Sequence, residues 1–246
     1  ILGSRYLVGM FRVVQIILFS LVATTAVPQY DVGFTGGVFG QKFSSDNFRG
    51  MPIPWSIGLF YRERGARHTD LSVELNFVNA RLNGYWRDGG LASNTTLSIQ
   101  RADLQYLQFS PYLDVRMGTK GNSVIRFGPQ FSWKIAETFT GTRTSWSIMQ
   151  GGTSTNYSGV STDFFRDGEF RLMIGFGFRM GKDDEPYALM LDPYLSYGMS
   201  ALIKSSYDQA NSTIIGIRLG FGKRIHRKTF TRLLYEKTPE APENAW

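Results

Sequence analysis

Two histidines and one acidic run are the side chains of this sequence whose types could support catalysis or metal binding. General acid–base and nucleophilic mechanisms need a positioned histidine or paired carboxylates. His68 falls in a short turn and His226 follows the last apolar segment, so neither is placed at the long-loop end of the predicted strands, where a catalytic histidine would be needed. Asp183, Asp184 and Glu185 are consecutive and lack the spaced ligands of a dedicated calcium loop. We therefore expect no enzyme activity, no metal site and no cofactor.

The chain carries 27 lysines and arginines against 20 acidic residues, a net charge of +7. Its one basic run, GKRIHRK at 222–228, has none of the interleaved aromatic residues that mark nucleic-acid surfaces. We interpret the run as a solvated end and expect no nucleic-acid partner. The sequence has no cysteine, which excludes disulfides and thiolate metal sites.

The remaining charges alternate with apolar residues, as in FRLMIGFGFRM at 170–180. A period of two indicates a β-strand, because successive side chains point to opposite faces and the two faces have different surroundings. Eight such segments follow one another after residue 29. They are predicted at 30–43, 53–64, 71–85, 96–117, 124–140, 170–180, 187–203 and 212–223.

The apolar faces run for about 9–11 residues, the length that a tilted strand needs to cross a bilayer. Connections also alternate between short, glycine-marked turns and longer polar loops, which is typical of barrels in bacterial outer membranes. Lipid then contacts the apolar set. The alternative is a secreted, lipocalin-like barrel that turns its apolar set inward around a ligand.

The polar set would face a narrow lumen. Eight strands leave an interior that side chains fill, and charges of mixed sign can neutralise one another there. We predict a plugged lumen rather than an open one; a small-solute pore is the alternative. The predicted ionic network comprises Arg62, Glu74, Asp114, Arg116, Arg126, Lys134, Arg171, Arg179, Asp192 and Arg218.

Two features interrupt the alternation. The apolar phase of the third segment changes near Val78 and Asn79, which predicts a β-bulge. Pro111, Pro129 and Pro193 fall inside three segments, and a proline removes a hydrogen bond of the strand ladder. A bulge or a local kink is expected at each proline.

The longest predicted loop, 141–168, is rich in aromatic residues. Exposed aromatic side chains often mark binding sites. Trp146, Tyr157, Phe164 and Phe165 are therefore candidates for contact with a partner or a surface glycan. Folding over the barrel mouth as a lid is an equal alternative.

The ends of the chain have their own patterns. Residues 1–26 are expected to be an upstream overhang plus a secretory signal peptide, since an arginine, a short apolar run and small residues precede Ala26. The barrel domain is predicted at 27–223 and a periplasmic tail at 224–246. Gly216, Leu219 and Phe221 have a spacing that resembles the signal read by outer-membrane assembly machinery.

Three stretches carry a family resemblance: LSVELNF at 71–77, YLQFSPYLDVRMG at 106–118 and IRFGPQFSW at 125–133. They resemble the small outer-membrane β-barrel proteins of Bacteroidota, the PorT-like family, over most of the chain after residue 26. The resemblance implies an eight-stranded barrel in the outer membrane, with no catalytic residue or ligand defined for most members.

Together these patterns predict an all-β fold, an eight-stranded antiparallel up-and-down transmembrane β-barrel in a bacterial outer membrane. Its partners are expected to be membrane lipid and an unidentified protein, in a structural or interaction role that uses the outer loops or the tail.

Overall fold

The computed structural model describes residues 29–44, 48–50, 54–65, 68–89, 93–118, 122–160, 165–180, 185–200 and 211–226. The predicted signal peptide, Phe164 and the tail beyond residue 226 lie outside these residues. Within them, no helix is long and apolar enough to cross a membrane.

The described residues form ten β-strands. They are β1 (Gln29–Phe43), β2 (Phe48–Gly50), β3 (Trp55–Arg64), β4 (Thr69–Gly89), β5 (Ser93–Met117), β6 (Ser123–Ser147), β7 (Gly151–Val160), β8 (Gly168–Met180), β9 (Tyr187–Gly198) and β10 (Ser212–His226). Every pairing between them is antiparallel.

Eight of the strands close a ring in the order β1, β3, β4, β5, β6, β8, β9 and β10, and β10 pairs with β1 over its whole length. The seam between β1 and β10 is tight, because a Cβ added at Gly33 would lie 2.1 Å from the Phe221 carbonyl oxygen. β2 pairs with β1 and β4 beyond the start of β3. The fold is thus an eight-stranded antiparallel up-and-down barrel.

The two ends of the barrel differ. At the short-turn end, where β3 meets β4, β5 meets β6 and β8 meets β9, the strands are joined by four to six residues. At the hairpin end, β4 and β5 extend together to Gly89 and Ser93, and β6 and β7 form a second hairpin. Residues 151–160, predicted as loop, are therefore strand, because β7 pairs with the outer part of β6 from Phe139 to Ser147.

The outer face carries an apolar band around the ring. Its exposed side chains include Phe34, Ile57, Leu75, Leu113, Phe127, Ile174, Leu195 and Ile217, with members from all eight wall strands. Aromatic pairs lie toward both edges of the band, Tyr30 with Tyr61 at the short-turn end and Phe131 with Phe170 at the other. An apolar band between aromatic girdles is the outer surface of a membrane-spanning barrel. The lipocalin-like alternative required the opposite orientation.

Above the band, toward the hairpin end, the strands keep their side-chain orientation, but the polarity of the two faces is reversed. Arg81 and Arg101 pair with Asp103 on the outer face, each through an Nε to Oδ distance of 2.6 Å, while Val78, Ala80 and other apolar residues point inward. The predicted bulge at Val78 is wrong, because β4 keeps one register with β5 from Thr69 to Leu82. The phase change instead marks the level at which water replaces lipid outside the wall.

The three prolines are accommodated without a shift of register. The ladder between β5 and β6 pairs Phe109 with Phe131 and Leu113 with Phe127. The residues between these two pairs, which include Pro111 and Pro129, form no ladder pairs with each other. A similar gap occurs between β8 and β9 beside Pro193. Missing ladder pairs, rather than the expected bulges, therefore accommodate the prolines.

Candidate functional site

The interior of the barrel near the short-turn end is a cluster of charged side chains around Asp114 on β5. Arg126 on β6 donates two hydrogen bonds to this carboxylate, from Nε at 2.7 Å and from Nη2 at 3.0 Å. Arg62 Nε lies 3.1 Å and Arg179 Nη2 3.2 Å from Asp114 Oδ2. Ser72 donates to the same oxygen at 2.7 Å. One buried carboxylate therefore accepts hydrogen bonds from three arginines on three different strands.

Two more carboxylates extend the cluster across the lumen. Arg126 Nη1 donates to Glu74 Oε1 at 3.0 Å and to Asp192 Oδ2 at 2.6 Å. Arg218 on β10 pairs with Glu74, and its guanidinium carbon lies 5.4 Å and 5.2 Å from the ring centres of Tyr112 and Tyr194. Charge pairing and cation–π contact thus hold Arg218 between Tyr194 on the neighbouring strand β9 and the groups on β4 and β5 across the lumen.

The cluster continues to the rim of the short-turn end. Asp70 accepts a hydrogen bond from Arg179 Nη1 at 2.7 Å and lies 3.3 Å from Arg116 Nε. Asp31 on β1 accepts from Arg224 Nε at 3.2 Å. Arg62 and Arg64 also approach Asp31, at 3.8 and 3.9 Å. With these groups, every strand of the ring contributes to the ion pairs.

The ion pairs of this cluster, counted over the described residues, involve more arginines than carboxylates. Seven arginines lie in it, Arg62, Arg64, Arg116, Arg126, Arg179, Arg218 and Arg224, against five carboxylates, Asp31, Asp70, Glu74, Asp114 and Asp192. Arginine remains protonated in proteins. Each carboxylate is important because several arginines share it, so removing one takes a counter-charge from all of them in a medium of low dielectric constant.

A second polar level lies above the first. Arg171 on β8 pairs with Glu169 and donates to the hydroxyl groups of Ser196 at 3.1 Å and Ser212 at 2.7 Å. Gln130 links the two levels, since it donates to Tyr112 Oη at 2.8 Å and accepts from Ser196 Oγ at 2.6 Å.

Lys134 lies near the upper edge of the second level. It pairs with Glu137, donates to the Phe165 carbonyl oxygen at 2.8 Å and lies 3.5 Å from Asp167.

The third level, at the hairpin end, is apolar. Its buried members are Phe39, Phe43, Val78, Ala80, Leu82, Leu97, Ile99, Ala102, Leu104, Tyr106, Phe139, Phe165 and Ile214, which we call the apolar cluster. Tyr157 of β7 packs on it, with its ring centre 5.6 Å from that of Phe139. Between the apolar cluster and the second level is a cavity of about 20 Å³ lined by Gln41, Tyr106 and Arg171 among others. This is the space of about one water molecule.

The structure places the ten residues predicted for the lumen in three groups. Eight of them, all except Lys134 and Arg171, belong to the charged cluster around Asp114. Arg171 and Lys134 bind separate acidic partners at the second level. Sequence reasoning missed Asp31, Arg64, Asp70 and Arg224.

The alternation of side chains could have identified the missed residues. Each lies on the inward parity of its strand, but Asp70 and Arg224 fall one residue outside the predicted segments 71–85 and 212–223, and Asp31 and Arg64 lie near segment ends. Within the described residues, no group of three or more histidine, aspartate or glutamate side chains could hold a metal ion.

The aromatic residues predicted for loop contact have different positions. Trp146 is exposed on β6, whereas Tyr157 is partly covered by the apolar cluster. The prediction that Phe165 is available for contact is wrong, because its side chain is fully buried in that cluster. Phe164 lies outside the described residues. Of the predicted assembly signal, Gly216 faces the interior, and Leu219 and Phe221 face outward.

No protein-family model matches the sequence, and a search of curated proteins finds no match. Among solved structures the chain is similar to Ail, the attachment invasion locus protein of Yersinia pestis, with 13% identity, coverage of 80% of this chain and 99% of that chain, and a TM-score of 0.36. The chain is also similar to Neisserial surface protein A, with 10% identity, coverage of 80% of this chain and 96% of that chain, and a TM-score of 0.37. A third similar structure is the outer membrane protein OprG from Pseudomonas aeruginosa, with 11% identity, coverage of 81% of this chain and 97% of that chain, and a TM-score of 0.36.

The localisation follows from the barrel itself. An even number of antiparallel strands, closed into a ring with a lipid-facing apolar band and a polar interior, is the form taken by proteins of bacterial outer membranes. The chain is an outer-membrane β-barrel, and membrane lipid is the partner of its outer face.

Proposed function

We propose that this barrel has a plugged lumen and acts as a structural or interaction protein, without catalytic activity, through the projections at its hairpin end or through its tail. The observation that carries the proposal is the filling of the interior at successive levels. Charged side chains from all eight wall strands meet at the short-turn end, and the apolar cluster occupies the hairpin end. A solute would have to displace both.

The proposal includes an orientation. The short-turn end faces the periplasm and the hairpin end faces the exterior, as in barrels with short periplasmic turns and longer outer loops. β10 continues to His226, so the tail predicted at 224–246 begins after that residue. A signal peptide that makes up 1–26 together with an upstream overhang, a periplasmic tail after His226 and the resemblance to the PorT-like proteins of Bacteroidota fit this arrangement and belong to the proposal. The role of Gly216, Leu219 and Phe221 as an assembly signal also belongs to it.

Because the chain lacks cysteine, single cysteines can test the orientation without background. Gln150 lies at the tip of the β6–β7 hairpin, and Asn122 lies exposed at the short-turn end. We expect a membrane-impermeant maleimide to label Gln150→Cys in intact cells and Asn122→Cys only after the outer membrane is permeabilised. The reverse pattern would overturn the orientation.

The interaction role has its own test. Crosslinking in native membranes, followed by purification of the chain, should recover one reproducible protein partner. Comparison with a chain that ends at His226, which keeps all of β10 and the Arg224–Asp31 ion pair, should show whether the tail or the hairpin end makes the contact. Recovery of lipid alone with both chains, and of no protein, would contradict a protein-interaction role.

A further inference from the structure

The tip of the β6–β7 hairpin combines high exposure with apolar side chains. Met149 is 93% exposed, Ile148 is 68% exposed and Trp146 is 42% exposed. Trp146 pairs with Gly152 on β7, so no side chain on that strand lies directly opposite its ring. These side chains lie outside the lipid-facing band. Apolar side chains that are exposed to water in this way are candidates for binding another surface.

The hairpin reaches far beyond the band. The last pair between β6 and β8 joins Trp133 to Gly168, and Met149 follows sixteen residues after Trp133. At about 3.3 Å per residue, the tip lies roughly 50 Å further along the strand. The tip therefore points away from the membrane that holds the barrel.

The composition of the hairpin is graded along this direction. Ile148 and Met149 lie in the turn at the end of the hairpin, Trp146 lies on β6 just behind the turn, and Arg143 is exposed about 10 Å further back along the strand. Apolar side chains, then tryptophan, then a basic residue is the order of depth found where a protein enters a lipid surface. Residues 138–160 contain no aspartate or glutamate that anionic lipid would repel, and Arg143 is their one charged residue.

From this grading we propose that the tip of the β6–β7 hairpin inserts into a second lipid membrane, one that faces the outer surface of the cell. The proposal rests on the orientation given under Proposed function. Lipid is favoured over a protein pocket because the two strands of this hairpin, within 138–160, carry hydroxyl and amide side chains and one charge, which provide little for a specific protein to recognise.

Vesicle flotation tests the insertion. The full chain is reconstituted in nanodiscs and mixed with separate vesicles of phosphatidylcholine containing phosphatidylglycerol. We expect the wild-type protein to float with the vesicles, and the variant Ile148→Ser with Met149→Ser to bind at least about tenfold more weakly, since two apolar side chains lose their burial. Thr153→Ala with Ser154→Ala, on the same hairpin but behind the tip, is the matched control and should bind as the wild type does.

Arg143→Gln separates the electrostatic contribution. It should weaken binding about fivefold on vesicles with phosphatidylglycerol and leave binding to pure phosphatidylcholine unchanged, because a basic residue is attracted by anionic headgroups. Absence of wild-type binding, or equal binding by the tip variant, would overturn the proposal. Native membranes provide a further test. If the protein binds them but no longer does so after the membranes are treated with protease, the tip recognises a protein and the proposal is overturned.

The maleimide experiment keeps this test independent of the proposed orientation. Labelling of Gln150→Cys in intact cells without vesicle binding would refute lipid insertion alone. Failure of that labelling would refute the orientation itself.

Discussion

Replacement of Asp114 by asparagine is expected to lower the free energy of unfolding by about 3–5 kcal/mol, the usual cost of removing one partner from a buried ion pair. The asparagine has nearly the same shape, so the change removes charge and leaves little void. Arg62, Arg126 and Arg179 would each lose a charged hydrogen-bond acceptor.

Unfolding in urea, with the barrel in lipid vesicles, measures this change. Asp103→Asn is the matched control, because Asp103 also binds two arginines but lies at the water-exposed outer face. Ion pairs at such a surface contribute about 0–1 kcal/mol. Similar losses for the two variants would mean that the charges around Asp114 are hydrated, and the lumen would then not be closed at this level.

Truncation of Phe139 to alanine should cost about 3–5 kcal/mol, as for other phenylalanines removed from closely packed cores. Phe139 is fully buried in the apolar cluster and packs against Tyr157, so its loss leaves a cavity that water or lipid does not fill favourably. The same urea experiment reports the loss.

Phe127→Ala provides the comparison on the same strand. Phe127 points outward within the lipid-facing band, where acyl chains can occupy the space that its ring leaves. We expect Phe127→Ala to cost less than about 1 kcal/mol, since lipid replaces most of the lost contacts. An equal loss for both variants would contradict the assignment of Phe139 to a packed interior and Phe127 to a lipid surface.

The wall strands could be predicted from the sequence, because lipid outside and a charged lumen inside require apolar and polar side chains to alternate strictly. All eight wall strands were predicted, and side-chain parity identified eight members of the charged cluster. The parity rule also applied to Asp70 and Arg224, which were missed because strand pairing continues one or more residues beyond the bounds of the predicted segments.

The hairpin end was harder to predict for a physical reason. Val78, Ala80 and Leu82 lie inward on β4 as Glu74 and Asn76 do, yet their change in polarity resembles a change in phase. Parity alone cannot distinguish a bulge from a strand whose outer surroundings change from lipid to water. β7 was missed because its sequence, GGTSTNYSGV, has no apolar alternation and is ordered by backbone pairing with β6.

Single-channel recording across a planar lipid bilayer tests the central claim, that side chains close the lumen. We predict that the purified wild-type barrel shows no stable open current at moderate voltage, because the charged cluster and the apolar cluster obstruct the same path in series. A reproducible open level, with the stepwise insertion typical of a pore, would contradict the plugged lumen and favour the small-solute pore.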